Sequence, residues 1–253
     1  MFKKKIYIVT GGFSGIGFCI TENLLKENHS VIAIGKTPSK IKLLKKKFTK
    51  FKSNFDPFIC NLSKLEEINR LTNYIRLKYK KINGLVNNAG INPSRNNIEN
   101  TKLKDWESTL QVNITSIFSL TKNLIDLFHN GSSIVNISSV AAHGMKNRMS
   151  YSTSKAALIG FTKSLAIDYA NRKIRVNCIL PGYIKTNLVK KYLQSLSKKE
   201  KQELIEKHAF NQIGSPMDVA NAVEFFLSDK SKWITGTTLN VDGGYLLNTQ
   251  RLR

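Results

Sequence analysis

The sequence predicts an α/β protein in which one doubly wound parallel sheet of about seven strands carries helices on both faces. Three observations favour this fold. Short β-branched apolar runs alternate with longer segments whose apolar residues recur at helical spacing, as in parallel strands joined by right-handed crossovers. The first run leads through a glycine-rich turn directly into a helix. A chain of 253 residues can bury one large core, and a single domain is common for α/β proteins of this size.

Each element is predicted from its apolar periodicity and from the turn residues around it. The expected strands are Ile6–Thr10, 31–35, 57–61, 84–87, 133–138, 175–180 and Thr238–Val241. The expected helices are Gly15–Lys26, 40–50, 64–78, 104–129, 151–170, 189–208 and 217–227. In such a sheet, ligands bind beyond the carboxyl ends of the strands, near the switch in strand order. The residues that follow the strand ends are therefore expected to converge there.

The composition is ordinary for a globular protein, with 41% hydrophobic and 23% charged residues. No apolar stretch approaches the ~20 residues of a membrane span, so we expect no membrane partner. Cys19, Cys60 and Cys178 are odd in number, scattered and set among apolar neighbours. They predict buried thiols in a reducing compartment, without a disulfide or a metal site. A cytoplasmic enzyme is the simplest expectation.

A net charge of +23 raises the alternative of nucleic-acid binding. The lysines crowd residues 40–52 and the polar faces of other predicted helices, without an aromatic stacking pattern or a known binding module. A solvated surface explains them better, and we expect no specific nucleic-acid partner. A basic rim could still steer anionic substrates or an acidic carrier protein.

The chemistry is predicted from Tyr151 and Lys155, which lie four residues apart and therefore share one face of a helix. Lowering a phenol pKa from about 10 to about 7 requires roughly 4 kcal/mol of preferential stabilisation of the phenolate. One lysine charge about 4 Å away supplies roughly that amount at an effective dielectric of about 20. The pair is therefore a candidate acid–base catalyst.

The turn at 10–17, Thr-Gly-Gly-Phe-Ser-Gly-Ile-Gly, lies between a predicted strand and a predicted helix. Glycines let the backbone approach a pyrophosphate, and a helix N-terminus presents free N–H groups and a partial positive charge to it. The spacing is G-x-x-x-G-x-G, which differs from the common dinucleotide fingerprint G-x-G-x-x-G. In this context the turn indicates a site for the phosphates of a dinucleotide.

Together, the turn and the tyrosine–lysine pair resemble the short-chain dehydrogenase/reductase family. Further segments resemble the family's motifs in order: Leu-Val-Asn-Asn-Ala-Gly at 85–90, Val-Asn at 112–113, Pro-Gly at 181–182 and Leu-Asn-Val-Asp-Gly-Gly at 239–244. The resemblance covers nearly the whole chain and implies a Rossmann-type fold. It implies an oxidoreductase that moves a hydride between a nicotinamide and a ketone or secondary alcohol. It also implies a substrate lid at about 186–214 and a homotetramer.

The resemblance implies four catalytic residues. Tyr151 would exchange a proton with the substrate oxygen, Lys155 would lower its pKa and hold the nicotinamide ribose, and Asn113 would position a water that connects Lys155 to solvent. A serine would orient the carbonyl. The family's distance from Tyr151 indicates Ser138, whereas alignment of the Ser-Ser-Val-Ala-Ala segment indicates Ser139. We predict Ser139, because alternation at the strand end would point the two hydroxyls to opposite faces.

Further residues would hold the cofactor. They are expected to be Gly11, Phe13, Ser14, Gly15, Ile16, Gly17, Gly35, Lys36, Thr37, Asn61, Leu62, Asn88, Ala89, Gly90, Tyr151, Lys155, Pro181, Gly182, Ile184 and Thr186. Gly35 stands where NAD-selective members have an acid, and Lys36 beside it would attract a 2′-phosphate. This predicts NADP. NAD is the alternative, since Ser14 stands where NADP members often have a second basic residue. Asn61 replaces an aspartate that is common near the adenine.

Two other functions stay open. The chain could be a 3-oxoacyl-(acyl carrier protein) reductase, because Arg172, Lys173 and the basic surface could attract an acidic carrier. From a different class, it could be a catalytically silent dinucleotide-sensing protein, although a pure binder has no need of a tuned phenol. In the lid, Tyr192 and Leu193 could line the pocket of a small carbonyl or alcohol substrate.

Overall fold

A seven-stranded parallel sheet forms the centre of the computed structural model, which describes residues 4–250. Its strands are β1 (Ile6–Thr10), β2 (Ser30–Gly35), β3 (Phe55–Ile59), β4 (Ile82–Asn87), β5 (Phe128–Ile137), β6 (Arg175–Pro181) and β7 (Thr238–Val241). They lie in the order β3-β2-β1-β4-β5-β6-β7, and every neighbouring pair is parallel. The order switches between β1 and β4, where such sheets open a crevice for ligands. The predicted fold class is confirmed.

The connections between the strands are helical. The α-helices described between residues 4 and 250 are α1 (Gly15–Lys26), α2 (Ser39–Lys47), α3 (Leu65–Lys78), α4 (Leu103–Leu110), α5 (Ser116–Leu124), α6 (Met149–Asp168), α7 (Asn187–Gln194), α8 (Lys198–Glu206), α9 (Pro216–Leu227) and α10 (Tyr245–Gln250). In this part of the chain, no helix has both the length and the apolar character that crossing a bilayer requires.

The predicted helix at 104–129 is wrong in its continuity and at its end. A π-helical turn over Gln111–Thr115 separates α4 from α5, and a short 3-10 turn over Ile125–Leu127 follows α5. β5 then begins at Phe128, which pairs with Ile82 of β4. The apolar spacing is helical through the segment, but pairing with a distant strand draws its last two residues into the sheet.

The predicted helix at 189–208 is two helices, α7 and α8. Ser197 begins α8 with a capping box: its hydroxyl accepts a hydrogen bond from the Glu200 N–H, and the Glu200 carboxylate accepts one from the Ser197 N–H. Such a reciprocal pair satisfies N–H groups that a helix start leaves without partners. A serine followed by a glutamate three residues later was therefore the signal for this break. α10 lies where no helix was predicted.

Alternate side chains of the central strands supply two hydrophobic cores, one on each face of the sheet. Val9 and Ala33 pack in the core that includes residues of α1 and α9. Their neighbours Ile8 and Ile32 pack in the opposite core, with residues of α3 and α5. Because both faces are covered, the sheet is open to a ligand only at the ends of its strands.

Candidate active site

Two adjoining cavities form a crevice at the carboxyl ends of the strands. One measures about 500 Å³ and lies against the ends of β1, β2 and β3. The other measures about 300 Å³ and lies against the ends of β5 and β6. The glycine turn, Ala89 and Gly90 line both of them. The crevice therefore runs across the switch in strand order.

The structure brings almost all the predicted cofactor residues to this crevice. The larger cavity is lined by Phe13, Gly35, Lys36, Thr37, Asn61 and Leu62. The smaller one is lined by Gly15, Ile16, Asn88, Tyr151, Lys155, Pro181, Gly182, Ile184 and Thr186. Gly11 and Ser14 line both, together with Ala89 and Gly90. Gly17 alone among the predicted cofactor residues lines neither cavity.

The glycine turn has a backbone that other residues would not tolerate. Gly11 and Gly15 have φ angles of +67° and +56°, a region that glycine reaches without steric cost. A Cβ on Gly17 would collide with the Gly11 carbonyl oxygen and the Asn88 amide. Gly17 is therefore a packing residue that lets α1 approach the turn.

The start of α1 is left open toward the crevice. Ser14 is its N-cap residue but makes no side-chain capping hydrogen bond, and the first turn holds no acidic residue. The N–H groups and the positive end of the helix dipole are therefore available to an anion.

Thr10 ties the glycine turn to the end of β4. Its hydroxyl accepts hydrogen bonds from the N–H groups of Asn88 and Ala89 at 2.9 and 3.0 Å. The Asn88 side-chain amide in turn donates to the Thr10 carbonyl at 2.8 Å. These three bonds fix the two sides of the crevice relative to each other.

The packing around Gly35 leaves no space for an acidic side chain at this point of the larger cavity. A Cβ at this position would collide with the ring of Phe13, which is 6% exposed. The ring therefore occupies the space that an acidic side chain would need. Lys36 and Lys40 line the same cavity, and none of its described lining residues is acidic.

Asn61 uses its side-chain oxygen locally. The oxygen accepts hydrogen bonds from the backbone N–H and the hydroxyl of Ser63, at 3.2 and 3.0 Å. The Asn61 N–H donates to the Glu67 carboxylate at 2.8 Å. Both contacts order the loop between β3 and α3 at the wall of the cavity.

Tyr151 and Lys155 lie on α6 and face the smaller cavity. The Lys155 Nζ lies 5.7 Å from the centre of the Tyr151 ring and donates a hydrogen bond to the Ile137 carbonyl at 2.8 Å. Lys155 is 3% exposed, and its burial lowers its pKa from 10.5 to about 8. The predicted shared face of the helix is therefore present.

The pKa of Tyr151 differs from the expectation. Burial raises the pKa of its phenol, while a hydrogen bond from the Ser139 hydroxyl and the charge of Arg148 lower it. The expected lowering by Lys155 is not among these causes. Removing the phenolate from water costs more free energy than the hydrogen bond from Ser139 and the charge of Arg148 restore.

The two serines have different partners. The Ser138 hydroxyl is buried and donates to the Lys155 carbonyl at 2.7 Å, which ties β5 to α6. The Ser139 hydroxyl contacts Tyr151 and accepts a hydrogen bond from the Ala141 N–H at 3.1 Å. Ser139 lines the cavity together with Tyr151, and this placement favours Ser139 as the hydroxyl that faces a substrate.

Asn113 lies behind the crevice in the π-helical turn and is fully buried. Its side chain accepts a hydrogen bond from the Ile91 N–H at 2.8 Å and donates to the Ile91 carbonyl at 2.9 Å. It also donates to the Ser154 hydroxyl at 3.0 Å. Asn113 therefore connects the end of β4 to α6 beside Lys155, although it does not line the cavity.

Known proteins resemble this chain over almost its whole length. Residues 11–246 match a family model described as enoyl-(acyl carrier protein) reductase. Two curated relatives are named 3-oxoacyl-[acyl-carrier-protein] reductase FabG. The one from Aquifex aeolicus is 37% identical over 244 residues, which are 95% of this chain and 96% of the relative. The one from Thermotoga maritima is 32% identical over 247 residues, 96% of this chain and 98% of the relative.

Solved structures agree. A short chain dehydrogenase family protein from Francisella tularensis subsp. tularensis SCHU S4 has a TM-score of 0.84 at 31% identity, covering 97% of this chain and 100% of that protein. The chain belongs to the short-chain dehydrogenase/reductase family. It is therefore an oxidoreductase that acts on a carbonyl or an alcohol group. ElxO, a protein solved with NADP bound, has a TM-score of 0.88 at 30% identity, again covering 97% and 100%.

Two sets of residues in this short-chain dehydrogenase/reductase were missed by sequence reasoning. Lys40 lines the crevice itself, and Thr10, the first residue of the motif at 10–17, bonds its two sides together. The second set surrounds a cavity of about 100 Å³ next to Tyr151. It includes Asn92, Arg95, Met145, Arg148 and Tyr183.

The two lid residues named from the sequence lie in different places. Tyr192 lines the cavity beside Tyr151, as expected. Leu193 lines a separate cavity of about 430 Å³ that also contacts Ile205 of α8. Neighbouring residues of one helix point in different directions, so of these two residues Tyr192 shares a cavity with Tyr151 and Leu193 does not.

Proposed function

We propose that this protein reduces a ketone to a secondary alcohol with NADPH, and that Tyr151 supplies the proton. This proposal rests on one observation. The Tyr151 phenol, the Ser139 hydroxyl and Lys155 meet at one end of a crevice that extends past the glycine turn. The solved relative ElxO binds NADP. The paired hydroxyls can donate hydrogen bonds to one carbonyl oxygen, which orients the carbonyl for transfer.

The residues of the crevice fit a dinucleotide phosphate. The open N-terminus of α1 suits the pyrophosphate. Phe13 excludes an acid at Gly35, and Lys36 with Lys40 offers positive charge for a 2′-phosphate. NADPH held there would supply the hydride for the carbonyl carbon.

Residues of the protein donate the proton to the substrate and then recover it from solvent. The Tyr151 hydroxyl gives its proton to the carbonyl oxygen as the C=O bond becomes C–O–H, and the phenolate is then reprotonated from solvent. A raised pKa keeps the phenol protonated at neutral pH, which suits a proton donor. Lys155 stabilises the transient phenolate, and we propose that Asn113 holds the route for the returning proton.

Replacement of Tyr151 by Phe tests this function. We expect Tyr151→Phe to lower ketone turnover by about 10²- to 10⁴-fold, the usual contribution of a positioned acid. NADPH binding, followed by the fluorescence of the bound cofactor, should stay within about twofold, because the ring is retained. Tyr169→Phe, at the far end of α6, should retain both properties.

A chain that binds NADPH but reduces no ketone would instead be the dinucleotide-sensing protein. Full activity of Tyr151→Phe would contradict the role of the phenol.

The names of the relatives favour one specific second candidate, a 3-oxoacyl-(acyl carrier protein) reductase. Arg172 and Lys173 lie at the turn after α6, where an acidic carrier could bind. The test is reduction of a 3-oxoacyl thioester on the carrier compared with the same acyl group on N-acetylcysteamine. A large advantage for the carrier form supports this candidate.

Three further properties are proposed with the same function. The segment 186–214 serves as a substrate lid, because it supplies Val189 and Tyr192 to the cavity beside Tyr151. The protein forms a homotetramer, because exposed apolar side chains such as Phe118 and Ile167 lie on two of its helices. It works in the cytoplasm, where its three free cysteines would stay reduced.

A further inference from the structure

We propose that the substrate of this enzyme is a short oxo acid whose carboxylate is bound by Arg95 and Arg148. This inference rests on the proposed ketone reductase function and names its substrate class. It is drawn from the small cavity beside Tyr151, which neither the sequence motifs nor the names of the relatives explain.

The two arginines are held against one aromatic ring. The guanidinium carbon of Arg95 lies 3.7 Å from the centre of the Tyr192 ring, and that of Arg148 lies 5.6 Å from it. Both side chains line the same cavity as Tyr151 and Ser139. Guanidinium groups stack on aromatic faces and still present N–H donors at their edges, so this geometry suits bidentate binding of a carboxylate.

Arg148 is fixed in place before any ligand binds. It is 8% exposed and precedes α6, three residues before Tyr151. The Asn92 side-chain oxygen accepts a hydrogen bond from the Arg148 Nη1 at 2.9 Å, and its amide nitrogen donates to the Ser94 carbonyl at 3.0 Å when the amide is oriented to form both bonds. Among residues 4–250, no further hydrogen bond of the Arg148 guanidinium is found, so its other N–H groups can bind a ligand.

The positive charge of the cavity is not neutralised by the protein. Among residues 4–250, no ion pair includes Arg95 or Arg148, and no described residue that lines this cavity is acidic. Arg148 is buried and Arg95 reaches the surface. Partial desolvation and the charge of Arg148 lower the pKa of Arg95. A buried cation beside a second cation is costly without a counter-charge. An anionic ligand would supply it.

The size of the cavity restricts the substrate. Its volume of about 100 Å³ suits a small group such as a carboxylate, and Tyr151 and Ser139 line both this cavity and the crevice. A carboxylate bound there leaves the ketone of a short chain at Tyr151. Val140, Ala141 and Met145 supply the apolar part of the wall, which suits a short hydrocarbon segment.

Paired substrates test the proposal. We would measure NADPH-dependent reduction of 2-oxo-, 3-oxo- and 4-oxopentanoate and of the methyl ester of each. Esterification removes the charge and keeps the ketone. For at least one chain length, the acid should exceed its ester in kcat/KM by about ten- to hundredfold, as expected for a charge-assisted bidentate contact.

Variants then assign the preference to the arginines. Arg148→Gln and Arg95→Gln should each abolish most of the acid-over-ester ratio while the ester is still reduced, and Arg148→Lys should restore part of it. Lys146→Gln is the matched control, because Lys146 is an exposed cation in the same loop and should leave the ratio unchanged. A purely structural role of Arg148 would lower acid and ester alike.

The outcomes distinguish failure of the proposed carboxylate site from failure of the proposed ketone reductase function. If esters or acyl thioesters are reduced as well as the acids, or if the preference survives both glutamine variants, the carboxylate site is wrong and the ketone reductase stands. If no ketone is reduced at all, the proposed function itself is wrong.

Discussion

Burial shifts the pKa of the two residues to which we assign the proton chemistry, Tyr151 and Lys155. Both lie on α6, yet their pKa values move in opposite directions: the pKa of Lys155 falls to about 8 and that of Tyr151 rises. Each shift favours the neutral form, as expected when charge leaves water. The tyrosine therefore stays a proton donor, while the lysine is close to losing its charge just above neutral pH.

This shift predicts a pH dependence of stability. The pKa of Lys155 is 10.5 in the unfolded chain and about 8 in the folded one. Between these values the unfolded chain binds more protons, so this residue makes the free energy of unfolding rise with pH. From pH 7.5 to 9.5 the rise is about 2 kcal/mol. Urea unfolding of the wild type and of Lys155→Met at these two pH values measures it.

In Lys155→Met this part of the rise should be missing. Lys163→Met, at an exposed position of the same helix, should behave as the wild type does. Identical pH profiles for the wild type and Lys155→Met would contradict the lowered pKa.

Cofactor choice is predicted to depend on the lysines of the larger cavity. Lys36→Gln removes a cation that lines the cavity from an exposed position. We expect KM for NADPH to rise by about three- to tenfold and KM for NADH to stay unchanged, because only NADPH carries the 2′-phosphate. Lys40→Gln should add to the effect. Lys45→Gln, an exposed cation of α2 outside the cavity, is the control, and equal changes for both cofactors would refute the assignment.

At the scale of elements, the break between α4 and α5 has a clear cause. The π-helical turn contains Asn113. Its side chain forms hydrogen bonds with the N–H and the carbonyl of Ile91 and with the Ser154 hydroxyl. Such turns insert an extra residue into a helix and are frequent at functional sites. Apolar spacing indicates helix on both sides but does not show that a side chain within the segment binds the backbone of a distant loop.

α7 and α8, which we propose form the substrate lid, are expected to be the least stable elements at the site. In α7 no described side chain is buried, and in α8 the single buried residue is Leu204. Few buried contacts permit local opening. Hydrogen exchange should therefore be faster in α7 and α8 than in α9, which buries five residues. NADPH with 4-oxopentanoate should slow exchange in α7 and leave α9 unchanged; no slowing in α7 would argue against a lid.

At the scale of the whole molecule, the distribution of exposed apolar residues predicts assembly. Phe118 on α5 is 51% exposed, and Ile167 on α6 is 77% exposed. Exposed apolar side chains of this kind suit an interface between copies of the chain. Light scattering after size exclusion should give a mass four times that of the 28.6 kDa chain.

Charge placed on these helices should break the assembly. Phe118→Asp and Ile167→Asp should each lower the measured mass, while Leu77→Asp, on α3 and 91% exposed, should not. A monomeric wild type at micromolar concentration would contradict the tetramer.

The elements and the main motifs could be predicted from the sequence because they depend on neighbours along the chain. The strand, glycine turn and helix at 6–26 follow from local spacing. The common face of Tyr151 and Lys155 follows from helix geometry alone. The order of motifs identified the family, and all but one of the cofactor residues predicted from it line the crevice.

The tertiary structure decided what depends on residues far apart in the chain. It placed Arg95, Arg148 and Tyr192 around one small cavity and packed Phe13 over Gly35. It also set the pKa of Tyr151, where burial outweighs the neighbouring groups. Desolvation and the distances between charges exist only once the chain has folded, so no local pattern could reveal them.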